Sequence, residues 1–97
     1  MKIPERFYIG GQLVDVENVN NLQGKLGECS IAEGYIKIAD TFDGHIQTKS
    51  SKDNTFVHEL VHAVLDTMGQ SDLSADEIFV NSFSGFLTEA LRTAEYD

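Results

Sequence analysis

Short runs of apolar and β-branched residues in the first half of the chain predict β-strands. Two such runs lie in RFYIGGQLVDV, on either side of Gly10 and Gly11, a dipeptide that favours a two-residue hairpin turn. A second pair of runs lies in LGECSIAEGYIKIAD, and its turn is expected at Glu33 and Gly34. The first half of the chain is therefore predicted to consist of two short hairpins.

The segment YIKIA shows the alternation of a strand most clearly. Its isoleucines, Ile36 and Ile38, alternate with other residues, so one face of the strand is expected to be buried and the other to meet water. The polar stretch ENVNNLQGK, between the hairpins, is expected to be a loop or a short helix. TFDGHIQTKSSKDN, after the second hairpin, is rich in turn-forming and small polar residues and is expected to be a loop.

Apolar residues in the second half recur with the helical period. The first predicted helix begins at Ser51 or Asp53, both of which are suitable N-caps, and ends just before Gly69. The second begins within SDLSAD and continues through EIFVNSFSGFLTEALR. Strands followed by helices predict an α+β fold, with a small antiparallel sheet of three to four strands followed by two helices.

Composition limits the classes of function. The 97 residues suffice for a single domain, expected to span residues 1–97. The net charge of −9 disfavours nucleic acid as a partner, because such a surface repels phosphate. No apolar run is long enough for a membrane span or a signal peptide. The single cysteine, Cys29, cannot form an internal disulfide, and we therefore expect a cytoplasmic protein.

The stretch TFVHELVHAVLD carries the candidate chemistry. His58 and His62 lie four residues apart, which places them one above the other on the predicted helix and lets both imidazoles reach one metal ion. Two neutral histidines suit zinc, and Glu59 between them is placed to take a proton from an activated water molecule. The alternative is a histidine pair on the surface or at the edge of the core that binds no metal.

A tetrahedral zinc site needs a third protein ligand, and Glu77 is the leading candidate. Its face of the second helix continues through Asn81, which is expected to hydrogen-bond to a ligand histidine. Two alternatives stay open. Ser74 and Glu77 also fit a Ser-x-x-Glu capping box, in which Glu77 only helps to start the helix. Glu89 is a further candidate ligand, three turns beyond Glu77.

TFVHELVHAVLD followed by EIFVNSF resembles the zinc metallopeptidases of the gluzincin type, and in particular the small ImmA/IrrE-like peptidases of phages and mobile elements. In that family the ligand glutamate opens a Glu-x-x-Ala-Asn-x-Phe-Ala run, whose places are taken here by Glu77, Val80, Asn81, Phe83 and Ser84. The resemblance extends from about residue 7 to residue 88. It implies a minimal zincin fold and a zinc-dependent endopeptidase.

The resemblance also implies a division of roles. His58, His62 and Glu77 would hold zinc, and Glu59 would be the general base and then the proton donor to the leaving amine. Such enzymes usually stabilise the transition state with a tyrosine or histidine, for which His45 and Tyr35 are the candidates. The substrate would lie along a sheet edge, assigned here to YIKIA. Cys29 is expected to be an ordinary buried or edge thiol, with a latency ligand for zinc as the alternative.

Two other classes of function compete with the peptidase. One is a catalytically silent zinc-binding interaction module of a phage or mobile element. The other is a small structural or inhibitor protein in which the motif has no function. The intact Glu59 favours catalysis over the silent module, and the expected partner is a protein or peptide substrate.

Overall fold

The computed structural model describes residues 1–97 and has the α+β architecture expected from the sequence. Five strands come first: β1 (Arg6–Ile9), β2 (Gln12–Asn21), β3 (Gly27–Ser30), β4 (Tyr35–Phe42) and β5 (His45–Ile46). Three helices follow: α1 (Lys49–Thr67), α2 (Ser71–Ser74) and α3 (Glu77–Thr93). No helix is both long enough and apolar enough to span a membrane.

The sheet is mixed, whereas the sequence suggested an antiparallel one. Its strand order is β1-β2-β4-β3, and the two-residue β5 pairs with the end of β4. Both predicted hairpins form, but β2 and β4 are parallel to each other. The hairpin of β3 and β4 joins the sheet through its second strand, so β4 becomes central and β3 becomes an edge strand. Alternating apolar residues are compatible with either direction of pairing, which is why the pattern did not reveal this arrangement.

The first hairpin turns at Gly10 and Gly11, whose φ angles of 57° and 84° are typical of a type I′ turn. The stretch expected to be a loop or a short helix and the stretch expected to be a loop both contribute residues to strands. β2 continues to Asn21 because its parallel pairing with β4 reaches Thr41. β4 continues to Phe42, turns tightly, and pairs with β5.

The first helix begins earlier than either predicted cap. Thr48 is the N-cap, and its side chain accepts a hydrogen bond from the Ser51 N–H at 3.1 Å. Asp53 is instead buried inside α1, where its carboxylate pairs with Lys49, with Arg92 of α3 and with the N-terminal amine of Met1. The pairs with Arg92 and Met1 join residues that are distant in sequence, so the local sequence does not reveal that Asp53 is buried within the helix instead of capping it.

The predicted second helix is split into α2 and α3. The N-cap of α3 is Asp76, which accepts a hydrogen bond from the Phe79 N–H at 3.1 Å. Glu77 is therefore the first residue of α3, and Ser74 does not cap this helix as the capping-box alternative required. The side chain of Ser74 is free for another contact.

The core lies between one face of the sheet and α1. Val14, Ile36 and Ile38 come from the sheet; Phe56, Val57, Val61 and Leu65 come from α1; Val80 comes from α3. The face of α3 that packs against α1 also buries Ser84 and Thr88, which are small and allow the two helices to approach closely. α1 is consequently held between the sheet and α3.

Gln47 ties the edge strand β3 to the start of α1. Its buried amide nitrogen donates to the Leu26 carbonyl at 3.2 Å and to the Ala39 carbonyl at 2.5 Å. Its amide oxygen accepts from the hydroxyls of Ser51 at 2.6 Å and Thr55 at 3.2 Å. Both ends of the amide are satisfied, so the contact fixes β3 relative to α1 without leaving a buried polar group unpaired.

β3 lies against α1 so closely that Gly27 has no space for a side chain. A Cβ at this position would lie 2.6 Å from Thr55 Cγ2 and 3.1 Å from Glu59 Cγ. We expect Gly27→Ala to destabilise the protein by about 1–3 kcal/mol, the usual cost of overpacking. The matched control is Gly85→Ala, because a Cβ at Gly85, within α3, would meet nothing within 4 Å.

The Gly85→Ala variant should be more stable than the parent by up to about 1 kcal/mol, as expected for glycine to alanine inside a helix. Urea unfolding followed by circular dichroism measures both variants. Equal stability of Gly27→Ala and the parent would show that β3 and α1 are not in close contact.

Candidate metal centre

The structure brings together the three predicted ligands. His58 and His62 project from successive turns of α1, with ring centroids 4.9 Å apart and an angle of 70° between the rings. Glu77 approaches from the start of α3 and places Oε1 4.0 Å from His62 Nε2. One ligand atom from each of the three residues lies within 4.8 Å of the others, and no other group of acidic, histidine or cysteine side chains in the chain forms such a cluster.

This donor set suits zinc. Zinc binds imidazole nitrogen and carboxylate oxygen at about 2.0–2.2 Å, so the ligand atoms of a tetrahedral site lie about 3.3 Å apart. The three side chains would therefore have to close by up to roughly 1.5 Å around an ion. Glu77 can make this adjustment because its side chain is 65% exposed, whereas the more buried histidine rings are held by their surroundings.

His62 is oriented by Ser74, a contact that the sequence did not predict. The Ser74 hydroxyl lies 2.9 Å from His62 Nδ1, and Ser74 is buried. With Nδ1 engaged in this way, Nε2 is left to face Glu77. Ligand histidines in metal sites commonly use their second nitrogen in a hydrogen bond of this kind, which fixes both tautomer and ring orientation.

His58 is favoured in the neutral form that binds metals. Partial burial lowers the pKa of its imidazole below the ordinary value, and the neighbouring His62 acts in the same direction. Glu77 has the opposite, smaller effect on the pKa of His58. A ring that resists protonation keeps its nitrogen lone pair available.

Glu59 is buried between α1 and β3, next to the cluster but outside it. Burial raises the pKa of its carboxyl group above the ordinary value, while His62 and the thiol of Cys29 have the opposite effect. Burial, and after it the carboxylate of Glu59, raise the pKa of Cys29 to about 12. Cys29 is thus a protonated thiol beside Glu59, in agreement with its expected ordinary role, and it is not part of the ligand cluster.

A cleft of about 260 Å³ opens beside the cluster. Its walls come from both α1 and α3 and from the start of β3, and they comprise Leu26, Gly27, Asn54, Thr55, His58, Glu59 and Asn81. The sheet edge at this cleft is β3. The assignment of YIKIA to the edge was wrong, because β4 lies between β2 and β3.

Three further predicted residues have other surroundings. Asn81 lines the cleft beside His58 but makes no hydrogen bond to either histidine. Tyr35 lies on the face of the sheet away from α1, where its hydroxyl donates to Glu28 Oε2 at 2.9 Å and Lys37 lies over its ring. His45 is exposed in β5 and is not part of the cleft. Neither Tyr35 nor His45 is placed to stabilise a transition state at the cluster.

Comparisons with protein-family models, with curated proteins and with solved structures found no match to this chain. The resemblance to the ImmA/IrrE-like peptidases therefore stays a prediction. What the chain can do has to be inferred from the cluster and the cleft themselves.

If Glu77 is a ligand, Glu77→Gln should weaken zinc binding by more than about 100-fold, because loss of even a supporting residue around a metal commonly costs 10- to 100-fold. Glu89→Gln is the matched control: it makes the same chemical change on the exposed surface of the same helix. Competition with a chromophoric chelator measures both affinities. Equal affinities for the two variants would remove Glu77 from the site.

The contact with Ser74 predicts a smaller effect on the same measurement. Ser74→Ala should lower zinc affinity by about 10- to 100-fold, because His62 loses the partner that orients its ring. Ser82→Ala serves as control, since Ser82 is exposed on α3 and makes no side-chain hydrogen bond. Unchanged affinity in Ser74→Ala would mean that the buried hydroxyl only supports the fold.

Proposed function

We propose that the protein is a zinc-dependent endopeptidase that hydrolyses peptide bonds in a cytosolic protein of a host or mobile element, and that it acts in the cytoplasm. The observation that carries the proposal is the position of Glu59. Its buried carboxyl group faces the same cleft as His58, and the ligand cluster of His58, His62 and Glu77 lies beside it. Structural zinc sites are closed by four protein ligands, whereas this cluster offers three and has the carboxyl group of Glu59 beside it.

His58, His62 and Glu77 would hold the metal, with Ser74 orienting His62. Zinc bound there would supply Lewis-acid activation of water and of the substrate carbonyl. Glu59 would accept the proton of the attacking water and then deliver it to the leaving amine.

The free edge of β3 offers a place for an extended peptide. The Ala39 N–H donates to the Leu26 carbonyl at 2.9 Å, and the next pair along the ladder is Gly27 with Ile38. Hydrogen-bonded and non-hydrogen-bonded pairs alternate in an antiparallel ladder, so the N–H and C=O groups of Gly27 and Cys29 point away from β4. A substrate strand could pair with them while its scissile bond lies over the cleft.

The cleft also contains donors that do not belong to the ligand set. Asn54 and Asn81 both line it, and both are exposed polar residues at the rim. Thr55 lines it too, but its hydroxyl already donates to Gln47. The amides of Asn54 and Asn81 would therefore be available to bind substrate carbonyls or to stabilise the transition state, the second of which is the role predicted for His45 and Tyr35.

The test is Glu59→Gln. The substitution keeps the shape of the side chain, so fold and zinc content should be preserved, but an amide cannot accept the proton. Cleavage of an unstructured peptide library by the zinc-loaded protein, followed by mass spectrometry, should fall about 10²- to 10⁴-fold. Glu33→Gln, in the exposed turn between β3 and β4, makes the same chemical change away from the cleft and should cleave like the parent.

Equal cleavage by the parent and by Glu59→Gln would remove Glu59 as the general base. A parent protein that binds zinc and cleaves no peptide of the library would favour the alternative function, a zinc-binding interaction module.

A further inference from the structure

An apolar groove of about 250 Å³ runs between α1 and α3, and no polar residue lines it. One wall is a stripe on α1 formed by Leu60, Val64 and Met68, and the other is a stripe on α3 formed by Phe79, Phe83 and Leu87. Val61 and Leu65, which belong to the core, form its floor. Each stripe spans nine residues, and its first and last residues are separated by about 12 Å along the helix axis, roughly two helical turns.

The groove and the metal centre lie on opposite sides of the contact between α1 and α3. Successive helical residues are rotated by about 100°, so Phe79 and Phe83 project from α3 about 160° away from Glu77 and Asn81 respectively. The buried face that contains Ser84 separates the two sides. The groove is consequently not an extension of the cleft, and the proposed peptidase mechanism does not use it.

The groove is open to solvent. Val64 is 39% exposed, Met68 is 63% exposed and Phe83 is 49% exposed. Scattered apolar residues on a surface are ordinary, but a continuous apolar groove with exposed aromatic and methionine side chains is typical of binding surfaces. Two parallel ridges separated by an apolar floor match the shape that receives one face of an amphipathic helix.

The charges around the groove restrict what can occupy it. Between Asn54 and Leu91 the chain contains no lysine or arginine, so every fixed charge in this stretch is negative. Asp76 lies at one end of the groove, where its carboxylate accepts a hydrogen bond from the N–H of Phe79, a groove residue. A second copy of this chain, with a net charge of −9, would bring like charges together and is disfavoured.

We propose that the groove between α1 and α3 is a docking site for a short amphipathic helix of another protein, one that carries apolar residues on one face and lysine or arginine beside them. The apolar face would fill the groove over about two turns, and the basic residues would meet Asp76 at one end of the groove and the net negative charge of the chain. This site would select a protein partner independently of the metal centre.

The test is selection from a displayed library of 14-residue amphipathic helices in which the positions flanking the apolar face are randomised among Lys, Arg, Glu, Asp and Ser. Selected helices should be enriched in Lys and Arg, and their binding should weaken with added salt. Phe83→Glu should reduce their affinity at least tenfold. The matched control is Phe86→Glu, which adds the same charge to α3 at a site that is 73% exposed and outside the groove, and it should bind like the parent.

His58→Ala should also bind the selected helices like the parent, which separates docking in the groove from binding in the cleft. Three outcomes would overturn the proposal. In the first, the parent protein enriches no helix beyond those that the Phe83→Glu variant also enriches, and in the second, the enriched helices lack Lys and Arg beside the apolar face. The third outcome is that the His58→Ala variant loses binding of the selected helices. A parent protein that is dimeric in light scattering, and becomes monomeric in Phe83→Glu, would identify a second copy as the occupant and would equally overturn it.

Discussion

The close packing of α1 against the edge strand β3 is the constraint on which the candidate site depends. Because Gly27 has no side chain, β3 lies directly over Thr55 and Glu59, and the carboxyl group of Glu59 is buried at the helix surface instead of extending into solvent. Gln47 holds the same two elements together from the start of the helix. With one side of α1 fixed in this way, His58 lines the cleft, and the ring of His62 lies next to it, with the ring centroids 4.9 Å apart.

The second side of α1 is fixed by α3, and this contact brings the third ligand into place. Small buried residues, Ser84 and Thr88, let α3 lie close to α1, and the break between α2 and α3 places Glu77 at the very start of α3. Because of the same break, Ser74 does not cap α3, and its hydroxyl forms a hydrogen bond with His62 Nδ1 instead. One helix contact thus separates two different surfaces: a polar cleft with the cluster on one side, and the apolar groove on the other.

Local spacing was sufficient to predict part of this arrangement. His58 and His62 are four residues apart on one helix, so their proximity follows from helix geometry alone, and the hairpin at Gly10 and Gly11 follows from turn chemistry. The function of Ser74 depends on the path of the chain between two helices, which no local pattern encodes. The same holds for Asp53, which resembles an N-cap in sequence but is buried by ion pairs with distant residues. Likewise, the alternation in YIKIA indicates a strand but not its neighbours, so the edge position of β3 became evident only from the sheet order.

The central claim is that His58, His62 and Glu77 bind one zinc ion and leave a position open for water. X-ray absorption spectroscopy on the protein after zinc loading and removal of excess metal tests this claim most directly. The account predicts one zinc per chain and a first shell of nitrogen and oxygen at about 2.0–2.2 Å, with the outer-shell scattering of two imidazoles. A protein that retains no zinc, a first shell with sulfur at about 2.3 Å from Cys29, or a shell of oxygen alone would contradict it.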